Sequence, residues 1–282
     1  MRGMRSGLPS LAVLLVVLAG CSAPADAPAA APTTDTPAVT LPAVPGVEGE
    51  VVLLRTDAAV GGQVHVRLTD TGDAGFTLTS VALSSPAFAP QPASAQTAVY
   101  APRRTIDLPV PFGAVDSAPD VQLVAAVDEL ARMSGPEQVT VPLAGDDLEL
   151  VFDAECAAQR LAEHVTLSVE GLVPDGDRVS GSVVLTRVDD GGDVVVSSVG
   201  RSVLLEPAVP DLPATLADGD DELTLPLTVG LATCDPHVLA ETKKPFVFAV
   251  AVEAAGESAV VDLPLSDDQR AQLQELVDRV CG

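Results

Sequence analysis

Apolar and polar residues alternate one by one in several short segments of the chain. Three clear cases are 64–69, 165–170 and 223–231, in which Val or Leu occupies every second position. Because successive side chains of a strand point to opposite faces, this period places one face of each segment on a core and the other in solvent. The alternation therefore predicts half-buried β-strands.

Turn-forming residues separate these segments. The run Asp-Asp-Gly-Gly at 189–192 lies between two apolar stretches and predicts a β-hairpin with a short loop. Many short strands with Gly, Pro and Asp between them are typical of antiparallel sandwiches. We therefore expect a mainly all-β fold of two tandem Ig-like β-sandwich domains with a short C-terminal helix, after a leader and a disordered linker.

Two parts of the chain repeat each other at a nearly constant spacing. TIDLPVPFG, beginning at Thr105, matches ELTLPLTVG, beginning at Glu222, at an offset of 117. VTVPLAGDD and VVDLPLSDD follow in the same order, at an offset of 122 between their prolines, Pro142 and Pro264. Two matched segments in one order favour a tandem duplication over a chance resemblance.

The repeat divides the globular part into a first domain at 48–157 and a second at 158–282. Ser266 and Gln269 have the spacing of a capping box, which predicts a helix at the end of the second domain. The apolar face of that helix is predicted to contain Leu273, Leu276, Val277 and Val280. The equivalent segment 146–156 predicts a helix more weakly, because its Val-Phe pair also suits a strand.

The first 21 residues, MRGMRSGLPSLAVLLVVLAGC, join two arginines to a short apolar run from Leu11 to Leu18. That run is too short to span a bilayer as a stable helix. It ends in Leu-Ala-Gly-Cys, which resembles the lipobox of bacterial lipoproteins. The resemblance implies a signal peptide at 1–20, cleavage before Cys21, and a diacylglycerol on Cys21 that anchors the protein at the extracytoplasmic face of the cell membrane.

Residues 21–47 contain that cysteine and a tract rich in Ala, Pro and Thr. Frequent proline favours an extended backbone without internal hydrogen bonds. At about 3.1 Å per residue, such a linker reaches on the order of 75 Å. We expect a tether that holds the two domains away from the membrane.

The chain is strongly acidic, with a net charge of −25, and only 2% of its residues are aromatic against 47% hydrophobic. The cores should therefore be built from Val, Leu and Ala. A surface this negative is repelled by phosphate backbones, which excludes nucleic acid as a partner. Envelope proteins or wall polymer are the partners we expect besides the membrane.

With Cys21 taken by lipid, three cysteines remain outside the membrane in an oxidising compartment. Cys156 and Cys281 lie at matching ends of the two repeats, whereas Cys234 aligns with Ser117. We predict a Cys234–Cys281 disulfide that holds the C-terminal helix, with Cys156 outside the bridge because its counterpart is a serine. The rival pairing, Cys156–Cys281, would join the two domains.

The segment LATCDPHVLAETKK at 231–244 concentrates reactive side chains. Cys234, His237 and Glu241 supply only half of a zinc site, and a disulfide-bonded Cys234 cannot ligate as a thiolate. The chain has neither the nucleophile elbow G-x-S-x-G nor the S-x-x-K pattern. We predict no catalytic residue, no metal site and no cofactor, and thus no enzyme.

Two acidic segments, 70–73 and 218–222, offer oxygen ligands of the kind that calcium prefers. Neither has the spacing of a defined calcium loop. We interpret both as polar turns and keep a weak calcium site as the alternative.

The C-terminal half carries a distinctive pattern, C-D-P-H-x-x-A-E-x-K-K at 234–244, followed by F-x-F and a final D-x-x-C. This pattern resembles that of uncharacterised secreted lipoproteins of actinobacteria, over the region from about position 100 onward. The resemblance implies a protein class and a location. We therefore expect a binding or structural module of the cell envelope, or alternatively an accessory subunit of an envelope transporter or signalling system.

Overall fold

The computed structural model of the chain describes residues 41–115, 130–132 and 135–282. The predicted signal peptide, Cys21 and most of the predicted linker lie outside these residues, as does Ser117. The described chain is mainly β and forms two tandem Ig-like β-sandwiches, which confirms the predicted fold class. No helix among these residues is long and apolar enough to cross a membrane.

The first sandwich precedes a long helix and contains eight of the described strands. They are β1 (Val47–Val52), β2 (Gln63–Asp70), β3 (Phe76–Val81), β4 (Ser94–Tyr100), β5 (Thr105–Pro111), β6 (Leu130–Arg132), β7 (Gly135–Glu137) and β8 (Leu143–Ala144). A short helix, α1 (Asp57–Val60), joins β1 to β2, and the long helix, α2 (Asp147–His164), follows β8. The strand orders are β5-β2-β1-β8 in one sheet and β4-β3-β6-β7 in the other.

The second sandwich begins directly after α2. Its strands are β9 (Val165–Asp175), β10 (Arg178–Arg187), β11 (Val194–Val199), β12 (Leu205–Ala208), β13 (Ala214–Leu216), β14 (Glu222–Leu231), β15 (Ala249–Ala254) and β16 (Glu257–Asp262). Helix α3 (Pro236–Glu241) follows β14, and α4 (Asp267–Cys281) ends the chain. The strand orders are β12-β14-β10-β9 and β13-β11-β15-β16.

The two sandwiches share one topology. The order β14-β10-β9 corresponds to β5-β2-β1, and β13-β11-β15-β16 corresponds to β4-β3-β6-β7. The registers agree as well, because Leu108 pairs with Val66 and Leu225 pairs with Val183, each residue shifted by 117. Strand β12 pairs with the end of β14, where the described part of the first sandwich has an isolated bridge between Phe88 and Val115. The sequence repeat therefore corresponds to a repeat of strand order and register.

Burial follows the alternation that the sequence shows. Val64, Val66 and Leu68 on β2 are fully buried, whereas His65 and Arg67 lie on the outer face of the same strand. Each sandwich encloses its own core, built mainly of Val and Leu. Burying such side chains contributes roughly 1.5–3 kcal/mol each, so the register of these strands is strongly fixed.

The prediction of a β-hairpin at 189–192 is wrong. Strands β10 and β11 belong to different sheets, and β11 pairs with β13 and β15. The connection therefore crosses from one sheet to the other. The guanidinium of Arg187 holds this end of the sandwich together by donating hydrogen bonds of 2.8 to 3.3 Å to the carbonyl oxygens of Gly191, Gly192, Leu216, Ala217 and Asp220.

Helix α2 runs without a break through the predicted domain boundary at 157/158. Near its start, Leu148 and Val151 belong to the first core, and near its end Leu161 belongs to the second. The segment 146–156 is thus helical, and the strand alternative for it is wrong. Leu148 and Val151 have the i, i+3 spacing of one helix face, whereas Leu161, 13 positions after Leu148, lies about 140° away around the helix axis. Different sides of the same helix therefore serve the two sandwiches.

Helix α4 begins as predicted. Ser266 Oγ accepts a hydrogen bond from Gln269 N at 3.2 Å, and Gln269 Oε1 accepts one from Ser266 N at 2.8 Å. The residues that α4 buries in the second core are Leu273, Leu276 and Val277. Val280, on the same face in the last turn of the helix, is 38% exposed.

Candidate functional site

A groove of about 380 Å³ opens between the two sandwiches, where both meet helix α2. Its lining comes from the β1–β2 connection, from one face of α2 and from strand β16. A concave, mostly apolar site of this size can hold a small organic ligand. Residues from four separate segments of the sequence build it, the fourth being Phe112 after β5, so it exists only in the folded chain.

Helix α2 forms the floor of the groove. Val151, Ala154, Glu155 and Ala158 are spaced at i, i+3, i+4 and i+7, which places them on one side of the helix. The two alanines keep the floor low because they carry only a methyl group. The floor is thus a shallow helical surface with one carboxyl group standing on it.

The β1–β2 connection forms the first wall and is held by a buried carboxylate. Asp57 Oδ2 accepts a hydrogen bond from Leu54 N at 2.7 Å and lies 2.9 Å from His65 Nδ1, and Oδ1 accepts one from Gln63 Nε2 at 2.9 Å. A buried carboxylate needs such partners. Asp57 is therefore occupied in fixing the wall and is not available to a ligand.

Two hydrogen bonds join this wall to its neighbours. Leu53 N donates to Asp147 Oδ2 at 2.7 Å, which fixes the end of β1 against the first turn of α2. Phe112 N donates to the carbonyl oxygen of Gly62 at 3.0 Å, which brings an aromatic ring to the rim of the groove. The wall is thus attached both to the floor and to the end of β5.

Strand β16 forms the second wall and is an edge strand of its sheet. Val260, Val261 and Asp262 line the groove from this side. At the other end of β16, Glu257 forms an ion pair with Arg160 of α2, which ties the strand to the helix. Both walls are therefore connected to the same helix.

Large apolar side chains remain exposed around the groove. Leu53 is 39% exposed, Leu150 is 59% exposed and Val260 is 65% exposed, one from each of the three parts of the lining. Single exposed apolar residues are ordinary on protein surfaces, but a group of them at one concave site marks a binding surface. The groove is therefore the best candidate site in the described part of the chain.

Two carboxyl groups stand among these apolar side chains, Glu155 on α2 and Asp262 on β16. Partial burial raises the pKa of both groups, and the positive charge of Lys244 opposes the shift at Asp262. Among the described residues, no lysine or arginine lines the groove itself. The groove therefore carries negative charge that its own lining does not neutralise.

The segment that the sequence singled out, 231–244, lies outside this groove. Cys234 and Cys281 form the predicted disulfide, with their Cα atoms 5.3 Å apart. Asp235 caps α3, because its Oδ1 accepts hydrogen bonds from His237 N at 2.8 Å and from Val238 N at 3.3 Å. The segment is therefore a capped turn of helix joined covalently to the end of α4.

The third cysteine, Cys156, and the two other candidate metal ligands lie outside the disulfide. Cys281 is bonded to Cys234, so the rival pairing with Cys156 is wrong, and Cys156 is buried in α2. His237 and Glu241 are exposed. The described residues contain no group of three or more side chains that could hold a metal ion.

The two acidic segments have the contacts of polar turns. Asp70 Oδ1 accepts a hydrogen bond from Gly72 N at 2.8 Å within the first segment. Asp218 N donates to Asp193 Oδ1 at 2.9 Å at the start of the second. The first bond stabilises a turn in the way that Asp side chains commonly do. The second joins the segment to the β10–β11 connection, and the turn itself is closed by a hydrogen bond from Asp220 N to the carbonyl oxygen of Ala217 at 3.0 Å. The calcium alternative gains no support from the described residues.

Comparison with known proteins yields no relative by sequence, since no protein-family model and no curated protein matches the chain. Among solved structures, a red sea bream transglutaminase is 10% identical, with a TM-score of 0.21, over 79% of this chain and 32% of that one. The calcium-binding domain CBD12 of CALX1.1 is 12% identical, with a TM-score of 0.20, over 78% of this chain and 86% of that one. The chain spans about a third of the transglutaminase. Similarities this distant carry no argument about function.

Sequence reasoning did not find the groove. Its residues fall in four separate segments, and no motif joins them, although Phe112, Val260, Val261 and Asp262 lie within the repeated segments. The one hint in the sequence is Leu150, an apolar residue that lies beside the buried residues of α2. Leu150 indicates a binding surface only when the helix is known to lie between two sandwiches.

Proposed function

We propose that the protein is a lipid-anchored binding module on the extracytoplasmic face of a bacterial cell membrane, and that it holds its ligand in the groove between its two sandwiches. The leader and the sequence Leu-Ala-Gly-Cys ending at Cys21 support the anchor. The Pro-rich tract that follows supports a tether of on the order of 75 Å. Two acyl chains on one cysteine would make the attachment stable.

The disulfide supports the same location. Disulfides persist in oxidising compartments outside the cytoplasm and are rare inside it. Cys234 is exposed, so a reducing environment would have access to the Cys234–Cys281 bond. A bridge placed there suits a protein that works outside the cytoplasm.

The observation that carries the binding function is the groove itself. It combines a volume of about 380 Å³ with exposed apolar side chains on every side and two carboxyl groups. We propose binding without catalysis by a hydroxyl or thiol nucleophile, because no serine, threonine or cysteine lines the groove among the described residues, and Asp57 is occupied by its own partners. Such a nucleophile would need one of these side chains beside a base. We assign the two remaining carboxyl groups, Glu155 and Asp262, to ligand binding.

Replacing Ala154 by Trp tests the groove, because an indole on the floor fills the space that a ligand would take. The matched control is Gln159→Trp, on the exposed side of the same helix. Native mass spectrometry of the full-length protein released from its own membranes should show a non-covalent adduct on the wild type and on the control. An adduct that persists on Ala154→Trp would contradict the proposal, and recovery of one permease cross-linked to another face would favour the accessory-subunit alternative.

Replacing Cys21 by Ser tests the anchor. We expect the wild type to incorporate a clickable fatty acid and to sediment with membranes, and the variant to do neither. A variant that still carries the label, or a wild type that never does, would contradict the lipid anchor. The groove experiment is unaffected by that result.

A further inference from the structure

The groove presents an apolar surface with charge of one sign. Its lining contributes Glu155 and Asp262, and Asp57 is already compensated by His65 and Gln63. Both carboxyl groups are still exposed to water in the open groove, and a ligand that covers them must replace that water with a cation or hydrogen-bond donors. The described lining offers no such cation, which leaves that role to a ligand.

We propose that the groove selects a small organic ammonium compound with an apolar body, whose charged end is held by Glu155 and Asp262. The apolar body lies against Leu53, Leu150 and Val260, which would otherwise stay in water. This inference rests on the proposed function, since it names the class of ligand for the same groove.

Other ligand classes fit the groove less well. An anion meets two carboxylates that repel it, and like-charge contacts at a binding site cost several kcal/mol. An uncharged apolar compound covers the carboxylates without compensating them, which adds a desolvation cost to its own binding. A compound with an ammonium group at one end avoids both costs. The ring of Phe112 at the rim can add a cation–π contact.

One residue outside the lining modifies this picture. Lys244 acts electrostatically on Asp262 and partly neutralises it. The lysine therefore competes with a cationic ligand for the same carboxylate. Removing its charge should strengthen binding, an effect that no general loss of structure would produce.

The test uses the full-length protein in nanodiscs of zwitterionic lipid, with labelled Leu and Val methyl groups observed by NMR. The probes are benzylamine, benzyl alcohol and benzoate, which share one ring and differ in charge. We expect benzylamine to shift the methyl signals of Leu53, Leu150 and Val260. The signals of Val173 and Val188, which are 56% and 54% exposed elsewhere in the second sandwich, should stay in place.

Variants assign the charge. Exposed ion pairs contribute up to about 1 kcal/mol, so Glu155→Gln and Asp262→Asn should each weaken benzylamine binding by roughly five-fold. Glu163→Gln, on the same helix but outside the lining, is the matched control and should leave the affinity unchanged. Lys244→Gln should tighten binding about two- to five-fold, on the same scale. Added salt should weaken benzylamine binding to the wild type.

Three results would overturn the proposed ligand class. Benzyl alcohol could bind as tightly as benzylamine, benzoate could bind more tightly, or Glu155→Gln and Asp262→Asn could together leave the affinity unchanged. Each of these would leave the groove as a binding site and remove its selectivity for a cation. If none of the three probes shifts the methyl signals of the groove, the proposed ligand class is also wrong. The adduct seen by native mass spectrometry and its loss in Ala154→Trp then test the proposed function separately.

Discussion

The Cys234–Cys281 disulfide should supply a large part of the stability of the second sandwich. The bridge joins residues 47 apart in sequence and connects the α3 turn to the end of α4. In the chain-entropy model, closing a loop of this length lowers the entropy of the unfolded chain by an amount worth about 4 kcal/mol at 25 °C. Domains of this size have roughly 5–15 kcal/mol in total. Replacing both cysteines by serine should therefore destabilise the second sandwich severely.

Urea denaturation can measure this loss with an internal comparison. The chain has no Trp and a single Tyr, and Tyr100 stacks on Phe76 in the first core with ring centroids 4.4 Å apart. Tyrosine fluorescence thus reports on the first sandwich, while circular dichroism reports on both. With m near 2 kcal/mol per M, a loss of about 4 kcal/mol moves the midpoint of the second sandwich down by about 2 M.

Loss of the disulfide by reduction and loss by mutation should have the same effect on the second sandwich. Reduced wild type and the double serine variant should behave alike, since both lack the same covalent bond. A double variant within about 1 kcal/mol of the oxidised wild type would show that the unfolded chain is already compact or that the bridge is not formed. If the urea midpoint seen by Tyr100 fluorescence also falls by about 2 M, then α2 couples the two sandwiches into one unfolding unit.

Three further predictions concern single side chains. Arg187→Met should destabilise the second sandwich by roughly 2–3 kcal/mol in denaturation experiments, because five backbone carbonyls lose a charged donor; a loss below about 0.5 kcal/mol would contradict the role given to this guanidinium. The pKa of Asp107 is lowered chiefly by its hydrogen bond to Arg67. The contact therefore stabilises the folded state fully at pH values above the ordinary pKa of Asp, and this stabilisation disappears as the pH falls through the lowered pKa of the folded state. Asp107→Asn should therefore cost up to about 1 kcal/mol at neutral pH and nothing in strong acid, and a cost independent of pH would contradict this. Ser266→Ala should cost about 1 kcal/mol through loss of the α4 cap, whereas Ser266→Asp should retain most of the stability, and equal losses in both would argue against capping.

Several features could be predicted from the sequence because they depend on neighbours along the chain. The capping box at Ser266 needs residues only three positions apart. The Cys234–Cys281 pairing followed from comparing the two repeats, since Ser117 stands where a partner of Cys156 would be. The burial of Leu68 or Leu225 follows from a period of two, which any half-buried strand must have.

Other features were beyond the sequence because they depend on contacts between distant segments. The loop at 189–192 has the composition of a hairpin, yet β10 pairs with β14 and β9 and leaves β11 to the opposite sheet. Turn composition sets the local bend and does not choose the sheet that the next strand joins. The pairing partners of a strand are decided by long-range backbone hydrogen bonds and by the core that forms around them.

The strands, the repeat, the terminal helix and the disulfide follow from the amino-acid sequence, because each depends on local spacing or on the similarity of one half of the chain to the other. That α2 contacts both sandwiches, and that its exposed face with Glu155 meets Leu53 and Asp262 across a groove, depends on the folded chain. A groove consists of the surfaces that remain uncovered after the elements have packed. No local pattern specifies which surfaces those will be.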